Sequence, residues 1–418
     1  MNLGIVSLIG LVVAIGLGSF RKLNTGLVAI AFAVILGKSA GFSDGAIING
    51  WNTQLFIMLL GVTFLFSLAQ ANGTLELFAR KVVALAGKRT ALIPIAIYFL
   101  CVFLSAIGPG TIPVMALMAP IGMALASELE ISPILIAPIG ILGACAGGIS
   151  PIAPTGVIGI TLAAKEGVNM GLPYFYNSLM AQTLFATCLY FVLGGYKIKT
   201  NKVMLKSDLP IFNKDQLITM AGIVIMVVVV LITKCNVGLI AFVTGVILLW
   251  LKVADERKSI SCIPWGTLIL VCGVGVLMNV TIKLKGIAIL AQFLGTFMNE
   301  NTASPIIGLT GGIMSWFSST SGVVMPTLIP TVSALTGTLG GNVSGLDLVS
   351  AITNTAHTAG ISPVSTGGAL SLASYAANAH ISIEDENKLF IKIFMVAVFG
   401  VLFMSMLAGL GLYRIWGV

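Results

Sequence analysis

Apolar residues run along this chain in continuous blocks rather than in alternation or in one-sided stripes. Blocks that read as membrane spans lie near 3–19, 25–40, 53–71, 132–164, 176–195, 216–233, 238–252, 265–282, 345–377 and 389–413. Two further blocks, 91–127 and 304–338, are interrupted at mid-length by Gly, Pro, Ser and Thr. Each is either two full spans or one re-entrant hairpin, and either choice returns the chain to the side it left. Residues 74–89 differ in kind. Leu75, Phe78, Val82 and Leu85 fall on one helical face, while Arg80, Lys81, Lys88 and Arg89 carry charge that lipid does not accept. This predicts a helix lying in the interface, with 287–299 as its counterpart on the opposite side. The pattern therefore predicts an all-α polytopic membrane protein, and its continuous blocks exclude an outer-membrane barrel.

Composition agrees. Apolar residues make up 57% and Asp, Glu, Lys and Arg only 9%, against about 25% charged residues in soluble domains. A soluble enzyme, a nucleic-acid binder and a disordered chain fit poorly. The net charge of +8 is explained by its placement. Sixteen basic residues (among them Arg21, Lys22, Arg80, Lys197, Lys214, Arg257 and Lys388) fall on one side of the membrane. Six, namely Lys38, Lys165, Lys234, Lys283, Lys285 and Arg414, fall on the other. The richer side is expected in the cytoplasm, with both termini outside and the chain in an inner or plasma membrane. No basic segment precedes the first block, so it does not read as a signal peptide. The basic side meets anionic lipid more readily than nucleic acid. The six Cys (101, 145, 188, 235, 262, 272) show no framework spacing, and the two His lack neighbours for a usual zinc site. Gly87-Lys88 has Val82 where a phosphate-binding loop needs its first Gly, so no nucleotide cofactor is expected.

The chain repeats itself. Trp51 matches Trp265 at an offset of 214, Asn72-Gly73 matches Lys285-Gly286 at 213, and Val114-Met115 matches Val324-Met325 at 210. Gly148-Ile149-Ser150-Pro151 matches Gly360-Ile361-Ser362-Pro363 at 212, as Gly156 matches Gly368. Each half holds five spans and one interrupted block. Five is odd, so the second half is expected upside down relative to the first. The organisation expected is a first repeat over 1–195 (hairpin 91–127, broken helix 132–164), a basic cytoplasmic linker over 196–215, and a second repeat over 216–418 (hairpin 304–338, broken helix 345–377). Inverted repeats with interrupted helices mark secondary transporters.

The chemistry is expected at the interruptions. Residues 143–159 and 354–370 place Gly and Pro inside apolar spans, where unwound backbone must line a cavity. Freed carbonyls and the hydroxyls of Ser150, Thr155, Ser362, Ser365 and Thr366, flanking Pro151 and Pro363, suit a small cation, while half-helix N-termini suit an anion. Kinked helices with satisfied hydroxyls are the structural alternative. The hairpin tips, Pro109-Gly110-Thr111 and Ser318-Ser319-Thr320, carry no charge, as expected of tips buried at membrane depth; a small-residue packing face is the alternative. Mid-span positions carry no Asp or Glu, which argues against a carboxylate proton relay. His357, three residues before the second interruption, either supports proton coupling or bonds a backbone carbonyl. His380, beside Glu384, Asp385 and Glu386, reads as part of a solvated face.

On these residues the layout resembles the ion transporter superfamily, above all the divalent anion/sodium symporters and the related malonate carrier (MatC-like) permeases. Their hairpin tips bear Ser-Asn-Thr. Ser318-Ser319-Thr320 is close to that motif, whereas Pro109-Gly110-Thr111 keeps only the Thr, and the stretch 146–154 (AGGISPIAP) is similar to the malonate-carrier type of broken helix. The resemblance implies that the tips contact substrate carboxylate and sodium, that the hairpins and broken helices move as one unit against a scaffold, and that the protein is a homodimer. The expected function is secondary transport of a small organic anion, a C3–C4 dicarboxylate, coupled to Na+ or H+, with Na+ as the sole candidate bound ion. Two other readings stay open: the large membrane subunit of a binding-protein-dependent carboxylate transporter, and a citrate- or gluconate-type permease. No catalytic dyad with an acidic orienter accompanies His357, so an enzyme is not expected.

Overall fold

The computed structural model describes residues 3–21, 23–84, 89–198, 209–233, 235–316, 318–339, 343–379 and 382–416; the linker segment 199–208, Leu85, Lys88 and His380 lie outside them. Among the described residues there are helices and turns and no strand. The first half comprises α1 (Leu3–Arg21), α2 (Thr25–Ser39), α3 (Asp44–Ile48), α4 (Thr53–Ala71), α5 (Thr74–Ala84), α6 (Ile93–Ala106), α7 (Thr111–Glu128), α8 (Pro133–Gly147), α9 (Pro154–Lys165) and α10 (Leu172–Val192). The second comprises α11 (Lys214–Thr233), α12 (Val237–Trp250), α13 (Glu256–Ser261), α14 (Trp265–Lys283), α15 (Gly286–Gly295) and α16 (Ala303–Trp316). A wide π turn (Thr320–Val324) then leads into α17 (Met325–Leu328) and α18 (Val332–Leu339), followed by α19 (Gly345–Ala359), α20 (Thr366–Ala379) and α21 (Ile383–Gly409).

The second series repeats the first element by element. The starts of α2, α3, α4, α5, α8 and α9 map onto those of α12, α13, α14, α15, α19 and α20 at the single offset that relates the two Gly-Ile-Ser-Pro segments. Both interrupted blocks are hairpins, α6–α7 and α16–α18. Trp51 and Trp265 are not equivalent: Trp51 lies two residues before α4, whereas Trp265 opens α14. The short helices α3 and α13 were not expected. Each follows a polar cap, with Ser43 Oγ accepting from the Ala46 N–H (3.3 Å) and Asp255 Oδ1 from the Lys258 N–H (2.7 Å).

Two glycine crossings tie the halves together. Asn24 caps α2 by accepting from the Gly26 N–H (2.9 Å), and its repeat mate Asn236 caps α12 by accepting from the Gly238 N–H (2.9 Å). A Cβ on Gly26 would lie 2.3 Å from the Ile269 carbonyl of α14, and one on Gly273 2.4 Å from the Gly26 carbonyl. In the mate, a Cβ on Gly61 of α4 would lie 2.1 Å from the Gly238 carbonyl. Only glycine admits backbones this close, so α2 is locked to α14 and α12 to α4. The inversion is direct: the start of α4 and the end of α14 line one cavity, while the end of α4 and the residues just before α14 line another. Large apolar side chains on outer faces, such as Val12, Val224 and Met395, are exposed, as lipid-facing positions should be.

The halves differ in polarity. α8 is apolar, but α19 is buried along nearly its whole length and carries a polar ladder to α10. Tyr174 and Thr353 hydroxyls meet at 2.6 Å, the Asn177 amide donates to Ser350 Oγ (3.0 Å), and the Thr358 hydroxyl donates to Gln182 Oε1 (3.2 Å). At the start of α19 the buried Asp347 carboxylate accepts from Ser304 Oγ (2.8 Å) and Arg414 Nε (2.9 Å). Removing Arg414 leaves that carboxylate without its counter-charge. Because the Arg414 side chain is 42% exposed, Arg414→Ala is expected to cost about 2 kcal/mol, less than a fully buried pair would. Melting in detergent measures it, and adding Asp347→Asn should recover part of the loss.

Candidate functional site

Both broken helices contain the same backbone device. After α8, the Ser150 N–H donates to the Gly147 carbonyl, Ala153 N–H to Ser150 and Gly156 N–H to Gly148, all at 2.9 Å. After α19, the Ser362 N–H donates to Ala359 (2.9 Å), Ser365 to Ser362 (2.8 Å) and Gly368 to Gly360 (3.2 Å). Pro151, Pro154 and Pro363 supply no N–H, so the regular ladder cannot continue. The turn carbonyls fold onto the first turn of the next half-helix, where a Cβ on Gly156 would sit 2.1 Å from the Ser150 oxygen and one on Gly368 2.2 Å from the Ile361 oxygen.

The hairpin tips dock on these breaks. In the first tip, Gly108 (φ 144°) and Gly110 (φ 80°) adopt backbone that side-chain-bearing residues avoid. Gly108 packs on the Phe66 ring of α4 and Gly110 on Pro154. Ser105 Oγ donates to the Ala144 carbonyl (2.7 Å). In the second tip, Thr320 Oγ1 donates to the carbonyl of Ala356, the repeat mate of Ala144 (3.0 Å). Each half thus holds the equivalent carbonyl with a tip hydroxyl. Cys145 Sγ donates to the His357 carbonyl (3.6 Å). These two residues are also repeat mates, so the pseudo-two-fold axis passes between them.

A small pocket of about 30 Å³ lies where the halves meet, lined by Thr63, Pro109, Thr111, Thr155, Thr267 and Ser321 among others. Four helical elements begin there. Thr111, Ile112 and Pro113 open α7, Pro154 and Thr155 open α9, Ser321 belongs to the π turn, and Pro264 and Thr267 flank the start of α14. Helix beginnings present the positive ends of their dipoles; here the N–H groups of Thr111, Ile112 and Thr155 have no partner among the described residues, while those of Thr267 and Gly322 are taken by Pro264 and Ser319. No charged side chain lines the pocket. Thr111 lines the pocket, but its hydroxyl is buried against Gly148, which does not line it, and has no partner among the described residues. The arrangement is a cradle of helix beginnings without side-chain charge, suited to an anionic group. Its volume matches about one water, so a larger ligand needs the walls to part.

Beside it a cavity of about 780 Å³ opens between the start of α4 and the second half of α14 on one wall, and α9 with the return arm of the second hairpin on the other. Ile158 lines both spaces and divides them.

Of the residues singled out by sequence, Pro109, Thr111 and Thr155 line the small pocket. Gly110 packs beside it on Pro154. Ser150 Oγ and Ser362 Oγ accept from N–H groups of their own turns, those of Ile152 (3.5 Å) and Val364 (3.3 Å), next to Pro151 and Pro363. Ser318 Oγ donates to the Met314 carbonyl (2.7 Å), and Ser319 Oγ accepts from the Gly322 N–H (3.2 Å). Thr320 is bound to Ala356. Ser365 and Thr366 begin the second half-helix away from the pocket. His357 is buried, lines neither space, and its Nδ1 has no partner among the described residues. Thr63, Thr267 and Ser321 were missed. The signal for Ser321 was present, because the offset of 210 that pairs Val114-Met115 with Val324-Met325 pairs Thr111 with Ser321. Nothing in the sequence pointed to Thr63 or Thr267, which sit in unbroken spans.

Residues 1–148 match the family model described as the dicarboxylate carrier protein MatC N-terminus. The likeness to malonate carriers drawn from the tips and broken helices holds over this stretch. No curated protein matches the chain. Among solved structures, the YdaH transporter of Alcanivorax borkumensis, reported to have an unusual topology, is similar with a TM-score of 0.60 at 11% identity, over 87% of this chain and 86% of that one. The chain therefore shares the fold of an all-α polytopic membrane transporter.

Proposed function

We propose that this protein is a secondary active transporter of a small organic anion, a C3–C4 dicarboxylate, coupled to Na+ or H+. The observation that carries this reading is the convergence of four helix beginnings on one pocket without a cationic side chain, with the first-turn N–H groups of Thr111, Ile112 and Thr155 unpartnered among the described residues. Backbone N–H groups and dipoles favour a carboxylate there, but they offset only part of a double charge. A co-bound cation supplies the rest, which makes coupling a consequence of the site's composition. The carrier likeness of residues 1–148 supports the same substrate class.

The two walls of the large cavity support an alternating-access reading. α4 and α14 are locked to α12 and α2 by the glycine crossings, while α9 and the second hairpin face them across about 780 Å³. Movement of the hairpins and broken helices against that scaffold, elevator-fashion, would carry the pocket across the membrane. With the basic face in the cytoplasm of an inner membrane and both termini outside, the large cavity opens outward. The repeats extend over 1–195 and 216–418, joined by the basic segment 196–215, and two copies associate through their scaffolds.

The test is uptake of malonate and succinate by vesicles containing the purified chain under imposed sodium or pH gradients. Accumulation that follows one gradient and collapses with it is expected. Uptake indifferent to both would sink the coupling, and absence of carboxylate uptake would sink the substrate class.

A further inference from the structure

The large cavity is more than a passage. One wall presents the carboxamides of Asn49, Asn52 and Gln54, and the facing wall presents Thr161, Lys165 and Glu166 at the end of α9. The Glu166 carboxylate accepts a hydrogen bond from Ser333 Oγ of the second hairpin. Lys165 is the only cationic side chain among the residues lining the cavity; it is exposed and forms no ion pair among the described residues. It also stands at the C-terminal end of α9, where the helix dipole favours a cation. The opposite end of that helix lines the small pocket. Ten residues separate Thr155 from Lys165, about 15 Å of helical rise, more than a C4 dicarboxylate can bridge.

We infer that the cavity holds a second, outer carboxylate-binding site, in which the Lys165 ammonium and the carboxamide N–H groups of the facing wall capture the anion before it reaches the inner pocket. The ligand class is a small carboxylate. Three features single it out: an ammonium free of ion pairing among the described residues, neutral N–H donors opposite, and space for a hydrated dicarboxylate; the neighbouring Glu166 carboxylate is held to the second hairpin by Ser333. Capture by a solvent-exposed ammonium is screened by salt, so it acts on apparent affinity at low ionic strength. This inference rests on the transport reading but is separable from it.

The experiment uses the full chain carrying Lys165→Cys, purified, treated with a methanethiosulfonate reagent and reconstituted. Removal of the ammonium is expected to raise the KM for malonate about threefold to fivefold, the range of one exposed charge contact, and to flatten its salt dependence, with the effect on KM rather than kcat. Trimethylammonioethyl methanethiosulfonate, which restores a positive charge, should bring KM back. Sulfonatoethyl methanethiosulfonate, which adds a negative one, should raise it further. A KM equal to wild type, or the same response to both reagents, overturns the capture site, as does an equal response in treated wild type. Trp51 also lines the cavity. Its fluorescence during malonate titration, with Trp51→Phe as the blank, reads binding there without transport. If wild type takes up no carboxylate, the transport reading fails, and a charge-dependent Trp51 response still decides the outer site.

Discussion

Gly156→Ala and Gly368→Ala are each expected to destabilise the protein by about 3 kcal/mol, the upper part of the range for overpacked interiors, and to abolish carboxylate uptake. The added Cβ would lie 2.1 Å from the Ser150 oxygen in the first half and 2.2 Å from the Ile361 oxygen in the second. Those atoms belong to backbone that is itself hydrogen-bonded within the turn, so no flexible side chain is available to yield. To admit the methyl group, the turn must lift from its half-helix. In the first half the same turn carries the first-tip contact between Gly110 and Pro154, so the pocket deforms with it. Gly337→Ala is the matched control: its Cβ meets nothing within 4 Å, and the change should be neutral or stabilising by up to about 1 kcal/mol through helix propensity. Melting in detergent and uptake per folded protein measure both effects. Wild-type melting and uptake in the two glycine variants would mean that the unwound turns do not depend on this close packing.

Thr111→Val separates function from stability because its two effects have opposite signs. The wild-type hydroxyl is buried without a partner among the described residues, a penalty of roughly 1 kcal/mol or more in the empty protein. Valine keeps the shape and removes the penalty, so the ligand-free melting temperature should rise. The same change removes a hydroxyl that reaches the anion by turning from Gly148 into the pocket, and malonate affinity should fall about tenfold, the worth of one well-made hydrogen bond to a charged group. Thr111→Ser, which keeps the hydroxyl, should retain most of the affinity. Thermal shift with and without malonate, followed by uptake, reads both quantities. A lower melting temperature with unchanged affinity would assign the hydroxyl a purely structural role.

Much of this was legible in the residues themselves. Two Gly-Ile-Ser-Pro segments, at 148–151 and 360–363, sit in otherwise apolar spans. Since lipid cannot satisfy a free backbone, they had to be internal breaks in a duplicated membrane fold. Uncharged tips on two interrupted blocks pointed to hairpins for the same reason. The register of the second tip was harder to read. Three consecutive hydroxyl residues, Ser318, Ser319 and Thr320, drew attention by their likeness to a family motif, yet they are occupied by Met314, Gly322 and Ala356. Ser321, in the π turn that opens the return arm, lines the pocket instead, and only the repeat offset that pairs it with Thr111 marked it in the sequence. His357 stood out as a lone imidazole within a span, and its place beside Cys145 follows from the symmetry axis rather than from the pocket.

The sequence alone determined the helical class, the duplication and the places where helices break. Each of these is set by local hydrophobicity, by backbone donors that proline lacks, or by a repeated pattern. Only the tertiary structure decided which helix beginnings share one pocket. Pro264 and Thr267 reach Thr111 and Thr155 because the inverted halves interlock through glycine crossings. The direction of a dipole in space is fixed by packing between segments far apart in the chain, and no local stretch of residues encodes it.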